Sequence, residues 1–120
     1  NMKTSTVQIP TKKEITFYVG ENAQDNMNVL NIGKDTDIWF HAHETSSCHV
    51  IALMPEQYTK KEKGYIIKIG ARLCKQSTKK LTHEKETMIN YTRLKNIAKT
   101  EVVGMVNYKN SQDVRSILIT

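Results

Sequence analysis

DIWFHAH, residues 37–43, reads as a β-strand with two distinct faces. In an extended chain successive side chains alternate between faces, so Ile38, Phe40 and Ala42 share one side. Asp37, Trp39, His41 and His43 share the other. The first set is a candidate core, and the second is offered to contact or chemistry. A small polar turn, Thr45–Ser47, separates this strand from CHVIALM, Cys48–Met54. That second run predicts an antiparallel partner, stopped by Pro55.

Upstream, EITFYVG at Glu14–Gly20 is β-branched and aromatic and ends at a glycine, which predicts another strand. Asn22–Asn31 reads as polar capping followed by a short helix or loop. Downstream, Thr59 and Glu62 have the spacing of a capping box. They predict a helix from about Lys60 to Gln76, the one long helix expected, despite Gly64 and Gly70. Lys79–Glu86 lacks periodicity and reads as an exposed connection, whereas Thr87–Leu94 returns to strand-like residues around Met88, Ile89 and Tyr91. Val102–Tyr108 and Val114–Thr120, joined through Lys109–Asp113, are expected to form a hairpin. The expected architecture is α+β: two layers, a largely antiparallel sheet and one main amphipathic helix.

A chain of 120 residues has room for one core, so residues 1–120 are expected to form a single domain. The hydrophobic fraction of 38% and charged fraction of 25% are those of an ordinary globular protein. A net charge of +6 and a pI near 9.3 predict attraction to polyanions, nucleic acid first and an anionic membrane surface second. Cys48 and Cys74 have no CxxC spacing, so neither a zinc ribbon nor a disulfide framework is indicated, and a reducing, cytoplasmic setting is expected. The apolar runs are too short for a membrane-spanning helix, and no charged-then-apolar leader stands at the start. Asn1 before Met2 reads as a tag remnant, with Met2 as a natural start of a free-standing domain.

At 100° per residue, Lys61, Lys68, Arg72, Lys75 and Lys79 form one basic stripe, and Ile66, Ile69, Leu73 and Cys74 gather opposite. Lys80 extends the stripe past the helix end. Solvated helix faces are commonly charged, and cations near a helix C-terminus suit the macrodipole. This stripe, however, holds no acid, and Lys68 and Arg72 repel at i, i+4, which points to a polyanionic partner.

His41 and His43 project from one strand face, and His49 can approach across the turn. Beyond Asp37 and Glu44 further ligands are lacking, so no metal site is expected. No Ser or Cys nucleophile has a recognised spacing to an Asp37–His41 pair, so no catalytic residues are expected. The simplest role of His41 and His49 is to hydrogen-bond and fix the two strands. Among the aromatics, Phe17, Tyr18, Phe40 and Tyr91 read mainly as core, and Trp39 as the one placed for stacking on a base or for packing.

DIWFHA followed by SSCHV (Ser46–Val50) resembles the NFACT-R family, whose hallmark is D-x-W-F-H followed by a small residue and H-V. The similarity extends upstream through Gly20 and Asn22, and downstream through Ala71, Lys75, Ser77, Tyr91, Thr92, Lys99 and Gly104. The sequence departs from the pattern at Glu21, at Asp25 and around Tyr58–Gly64. The resemblance implies an RNA-binding module, of the kind found in ribosome-quality-control factors, with Asp37, Trp39, Phe40, His41, Ser47, His49 and Lys99 at motif positions and no cofactor. Transfer or ribosomal RNA, held on the basic helix, is the expected partner, with DNA and the ribosome as further candidates. A metal-assisted nuclease or RNA-modifying hydrolase built on His41, His43 and His49, and a protein-interaction accessory domain, are the alternatives.

Overall fold

The computed structural model describes residues 2–120; Asn1, and with it the reading of that residue as a remnant, lies outside them. Eight strands form in chain order: β1 (Lys3–Gln8), β2 (Glu14–Gly20), β3 (Ile38–Ala42), β4 (His49–Ala52), β5 (Thr87–Arg93), β6 (Ile97–Lys99), β7 (Val106–Tyr108) and β8 (Arg115–Ile119). Two α-helices join them, α1 (Ala23–Leu30) and α2 (Lys60–Ser77). Six strands make one antiparallel sheet in the order β1-β2-β4-β3-β5-β8. The expected α+β architecture, with its largely antiparallel sheet and one main amphipathic helix, is the one observed.

Alternation along β3 delivers the predicted core. Ile38, Phe40 and Ala42 are 3% exposed or less and meet Ile66, Ala71 and Cys74 of α2. The capping box forms as its spacing predicts: the Thr59 hydroxyl accepts from the Glu62 amide and the Glu62 carboxylate accepts from the Thr59 amide. The buried seam of α2 is rotated from the expected one. Ile66, Ile67, Gly70, Ala71 and Cys74 are buried, while Ile69 and Leu73 are only partly so. Small residues set this seam, because a Cβ on Gly70 would lie 2.3 Å from Phe40 Cζ, so glycine there lets the helix ride directly on that ring.

The other sheet face is not open, and this overturns the expectation that Trp39 and Asp37 are available for contact. Trp39 pairs across the ladder with Ile51, and both are buried with Val29, Leu30, Leu94 and Ile97 in a second cluster. Helix α1 and the small β6–β7 sheet supply that cover. The predicted hairpin between 102–108 and 114–120 does not form. Instead β7 pairs with β6, with Asn107 opposite Ala98, and β8 pairs with β5, with Ile117 opposite Ile89. Burial explains the exchange: Ile119 sits in the main core, whereas Val106 and Tyr108 pack on the second cluster, on the other side of the sheet.

Candidate nucleic-acid interface

The motif at β3 and β4 is held by buried polar contacts. The Asp37 carboxylate is fully buried and accepts from the amides of Lys34 and Met54, each at 2.7 Å, so it staples the loop before β3 to the end of β4. Ser47 Oγ accepts from the Ala42 amide at 2.9 Å and donates to the Cys48 carbonyl, closing the β3–β4 turn. The indole Nε1–H of Trp39 donates to Nδ1 of His49 at 3.2 Å. That bond requires a neutral imidazole with its proton on Nε2, which faces the Gly104 backbone. Burial and the neighbouring His41 push the His49 pKa down to about 3, and the Gly104 bond opposes them.

His41 lies parallel to the Trp39 indole with centroids 5.5 Å apart, and donates Nδ1–H to the Ala42 carbonyl at 2.8 Å. Burial lowers its pKa as well, and Lys80 adds to the shift. His43 turns away to Glu44 at 2.6 Å and to Asn90 Oδ1 at 3.1 Å. His41 and His49 meet edge to face with centroids 5.1 Å apart while His43 is turned to other partners, and among the described residues no three His, Cys, Asp or Glu side chains gather as a metal site. Of the two histidines expected to fix the strands, His49 bridges β3 and β4 through the Trp39 indole, and its backbone amide donates to Asn26 Oδ1, whereas the His41 ring bonds the carbonyl of Ala42 on its own strand; no carboxylate takes part in these bonds. Around them a cleft of about 560 Å³ opens between His41, His43, Asn90, Met105 and Tyr108.

The basic stripe forms in part. Lys61, Lys68 and Arg72 are exposed on α2 and make no ion pair among the described residues. Lys79 is exposed too, but α2 ends at Ser77 and Thr78 turns to an extended conformation, so Lys79 stands off the stripe in a short 3-10 turn, Lys79–Leu81. Lys75 does not belong to the stripe. It is only 8% exposed, and its ammonium donates to the Glu84 carbonyl at 2.8 Å, tying α2 to the segment before β5. Lys80 is exposed but donates to Thr45 and Ser46 at the β3–β4 turn, and Lys99 donates to Asn31 on the α1 side of the sheet, away from α2. Phe40, a motif residue, is pure core.

A second group of cations escaped the sequence reading. Lys63, Arg93, Lys95 and Arg115 line a cleft of about 440 Å³ with Ile38, Tyr91 and Asp113. The alternation Tyr91, Arg93 signals a shared face, but Arg115 joins them only through the β5–β8 pairing that the expected hairpin excluded.

Fold and site together define a small basic α+β domain in which the β3–β4 motif residues are held in buried contacts and one group of exposed, unpaired cations lies on and beside α2. A profile of the NFACT protein RNA binding domain matches residues 4–110, and the chain belongs to that family. Coiled-coil domain-containing protein 25 of Danio rerio is 26% identical over 107 residues, and its Dictyostelium discoideum homolog 28%. Each match covers 87% of this chain and 52% of the relative, so the chain spans about half the length of these relatives. The C-terminal part of the fibronectin/fibrinogen-binding protein from Streptococcus suis shares the fold at a TM-score of 0.71 and 19% identity, over 98% of this chain and 45% of that one. Among the described residues no helix is long and apolar enough to cross a membrane.

Proposed function

We propose that this domain binds structured RNA, of the transfer or ribosomal class, through the exposed cations of α2, and that it does so as an accessory to ribosome-associated processes. The observation that carries the reading is the row Lys61, Lys68 and Arg72 on α2, with Lys79 just past the helix end, all exposed and without an acidic partner among the described residues, in a chain of an RNA-binding family. Such a row costs stability in the free protein through like-charge repulsion and gains free energy when phosphates displace its counterions. The test is fluorescence anisotropy of a labelled tRNA across a salt series. K61E/K68E/R72E should weaken binding at least tenfold and flatten the slope of log K against log salt by about 2 to 3. Unchanged affinity, with an unchanged melting curve, would remove α2 from the interface. Duplex DNA of equal charge, run in parallel, separates RNA recognition from attraction to any polyanion.

A further inference from the structure

The cleft between α2 and the β5–β8 edge has features that neither its fold role nor the α2 row explains. Tyr91 stands opposite Arg115 on β8 and two residues from Arg93 on β5, so all three side chains leave the sheet on the α2 side. Arg93 in turn stands opposite the buried Ile38. Lys63 closes the cleft from α2, and Lys95 from the turn after β5. Four cations thus surround one carboxylate, Asp113, and no ion pair joins any of them among the described residues. Arg115, opposite Tyr91, lies diagonal to Arg93 on the same face of neighbouring strands, so both guanidinium groups reach the same cleft. The Tyr91 ring is half-buried against Phe40, with centroids 6.3 Å apart, and its hydroxyl makes no hydrogen bond within the described residues.

We infer that this cleft is a phosphate-binding site that receives a phosphodiester of RNA. The two guanidinium forks and two ammonium groups neutralise the phosphate oxygens, and the Tyr91 hydroxyl donates to the phosphate or the adjoining ribose. Guanidinium groups suit this task because their planar donors match pairs of phosphate oxygens. A volume of about 440 Å³ admits a nucleotide unit, which a surface row on a helix does not enclose. The nucleic-acid source of the phosphate rests on the function proposed above; the phosphate site itself does not.

Two arms test it. In the first, wild type, R93E/R115E and the conservative R93K/R115K are titrated with a hairpin RNA carrying a single-stranded extension, each variant being checked by thermal melting. Charge reversal should weaken binding about tenfold or more and flatten the salt slope, while the Lys variant should keep the slope and lose two- to fivefold in affinity. In the second, pyrophosphate is titrated into labelled wild-type protein while the arginine Nε–H resonances are followed. Shifts confined to Arg93 and Arg115 support the site. If wild type binds RNA and the reversal changes nothing, the cleft is overturned and the α2 reading stands. If wild type binds no RNA, the proposed function falls, and pyrophosphate then decides the cleft alone: confined shifts retain it as a site for free phosphates, and no shift overturns it.

Discussion

Acid should destabilise this domain through one buried ring, in a pH interval where carboxylates contribute little. His49 is 1% exposed and neutral, with Nδ1 accepting from Trp39, and burial holds its pKa near 3 against 6.5 for a free histidine. As pH falls, the unfolded chain therefore takes up the proton first. The stabilising contribution is full above about pH 6.5 and is lost progressively as pH falls toward 3. Each pH unit well inside that interval is worth about 1.4 kcal/mol, and because the unfolded ring is already half protonated at pH 6.5, moving from there to about 4.5 removes about 2 kcal/mol. That is a large share of a typical domain stability of about 5–15 kcal/mol. His41 shifts in the same direction and adds to the loss. Glu62, held near 2 by its bonds to Thr11, the Thr59 backbone and Lys13, loses its contribution only below its ordinary value of 4.5. The assay is urea unfolding at half-unit pH steps, in which the midpoint should fall by about 1–2 M across the interval. His49→Asn keeps an acceptor for the indole without a titrating group. It should be less stable at pH 7 from lost packing, yet show a distinctly shallower acid slope. A His49 resonance titrating near 6.5, or an unaltered slope in the Asn variant, would refute the assignment of a neutral, indole-bonded ring.

Two further substitutions separate structure from binding. Asp37→Asn should cost about 2 kcal/mol, because the buried carboxylate accepts from two backbone amides and a neutral amide replaces one charged acceptor oxygen with a donor; chemical denaturation at pH 7 reads this. Lys75→Gln should lower stability by about 1 kcal/mol through the Glu84 carbonyl while leaving tRNA affinity within twofold, unlike Lys68→Gln, and the same anisotropy titration reads both.

The central strands β2 to β5 and the long helix are legible because their signals are local, whereas the edge strand β1 and the short β6 carry no such signal and are not expected from the sequence. The β3 alternation, the Pro55 stop and the Thr59–Glu62 box act within a few residues of where they stand. The second buried face was not legible, since Trp39 becomes core only when α1 and β6–β7, far apart in sequence, arrive over it. The same non-locality hid the exchange of partners by β7 and β8. The helical wheel placed Lys75 among solvated lysines, because a wheel has no knowledge of the segment around Glu84 that folds back over the last turn. Gly70 gives no apolar signal as a seam residue because its worth lies in what it omits, the side chain that would strike Phe40.

The residues that carry the family resemblance and the cations available to bind RNA are almost disjoint sets. Asp37, Trp39, Phe40 and His49 are buried, and Ser47 is spent on the turn between β3 and β4. Their polar atoms already have partners, so a ligand taking one of them would leave a buried group unsatisfied, at a cost of about 1–3 kcal/mol. Recognition through that motif would have to break the fold it maintains. Lys61, Lys68, Arg72 and Lys79 face no such conflict, nor do Arg93 and Arg115, because they are exposed and without ion-pair partners among the described residues. On the function proposed above, the motif defines the platform, and discrimination among RNAs is assigned to the spacing of cations on α2 and along the β5–β8 edge. Exchanging those cations for the corresponding residues of a relative should transfer RNA preference while the unfolding midpoint stays in place. A preference that followed Trp39 and His49 instead would place recognition in the motif itself.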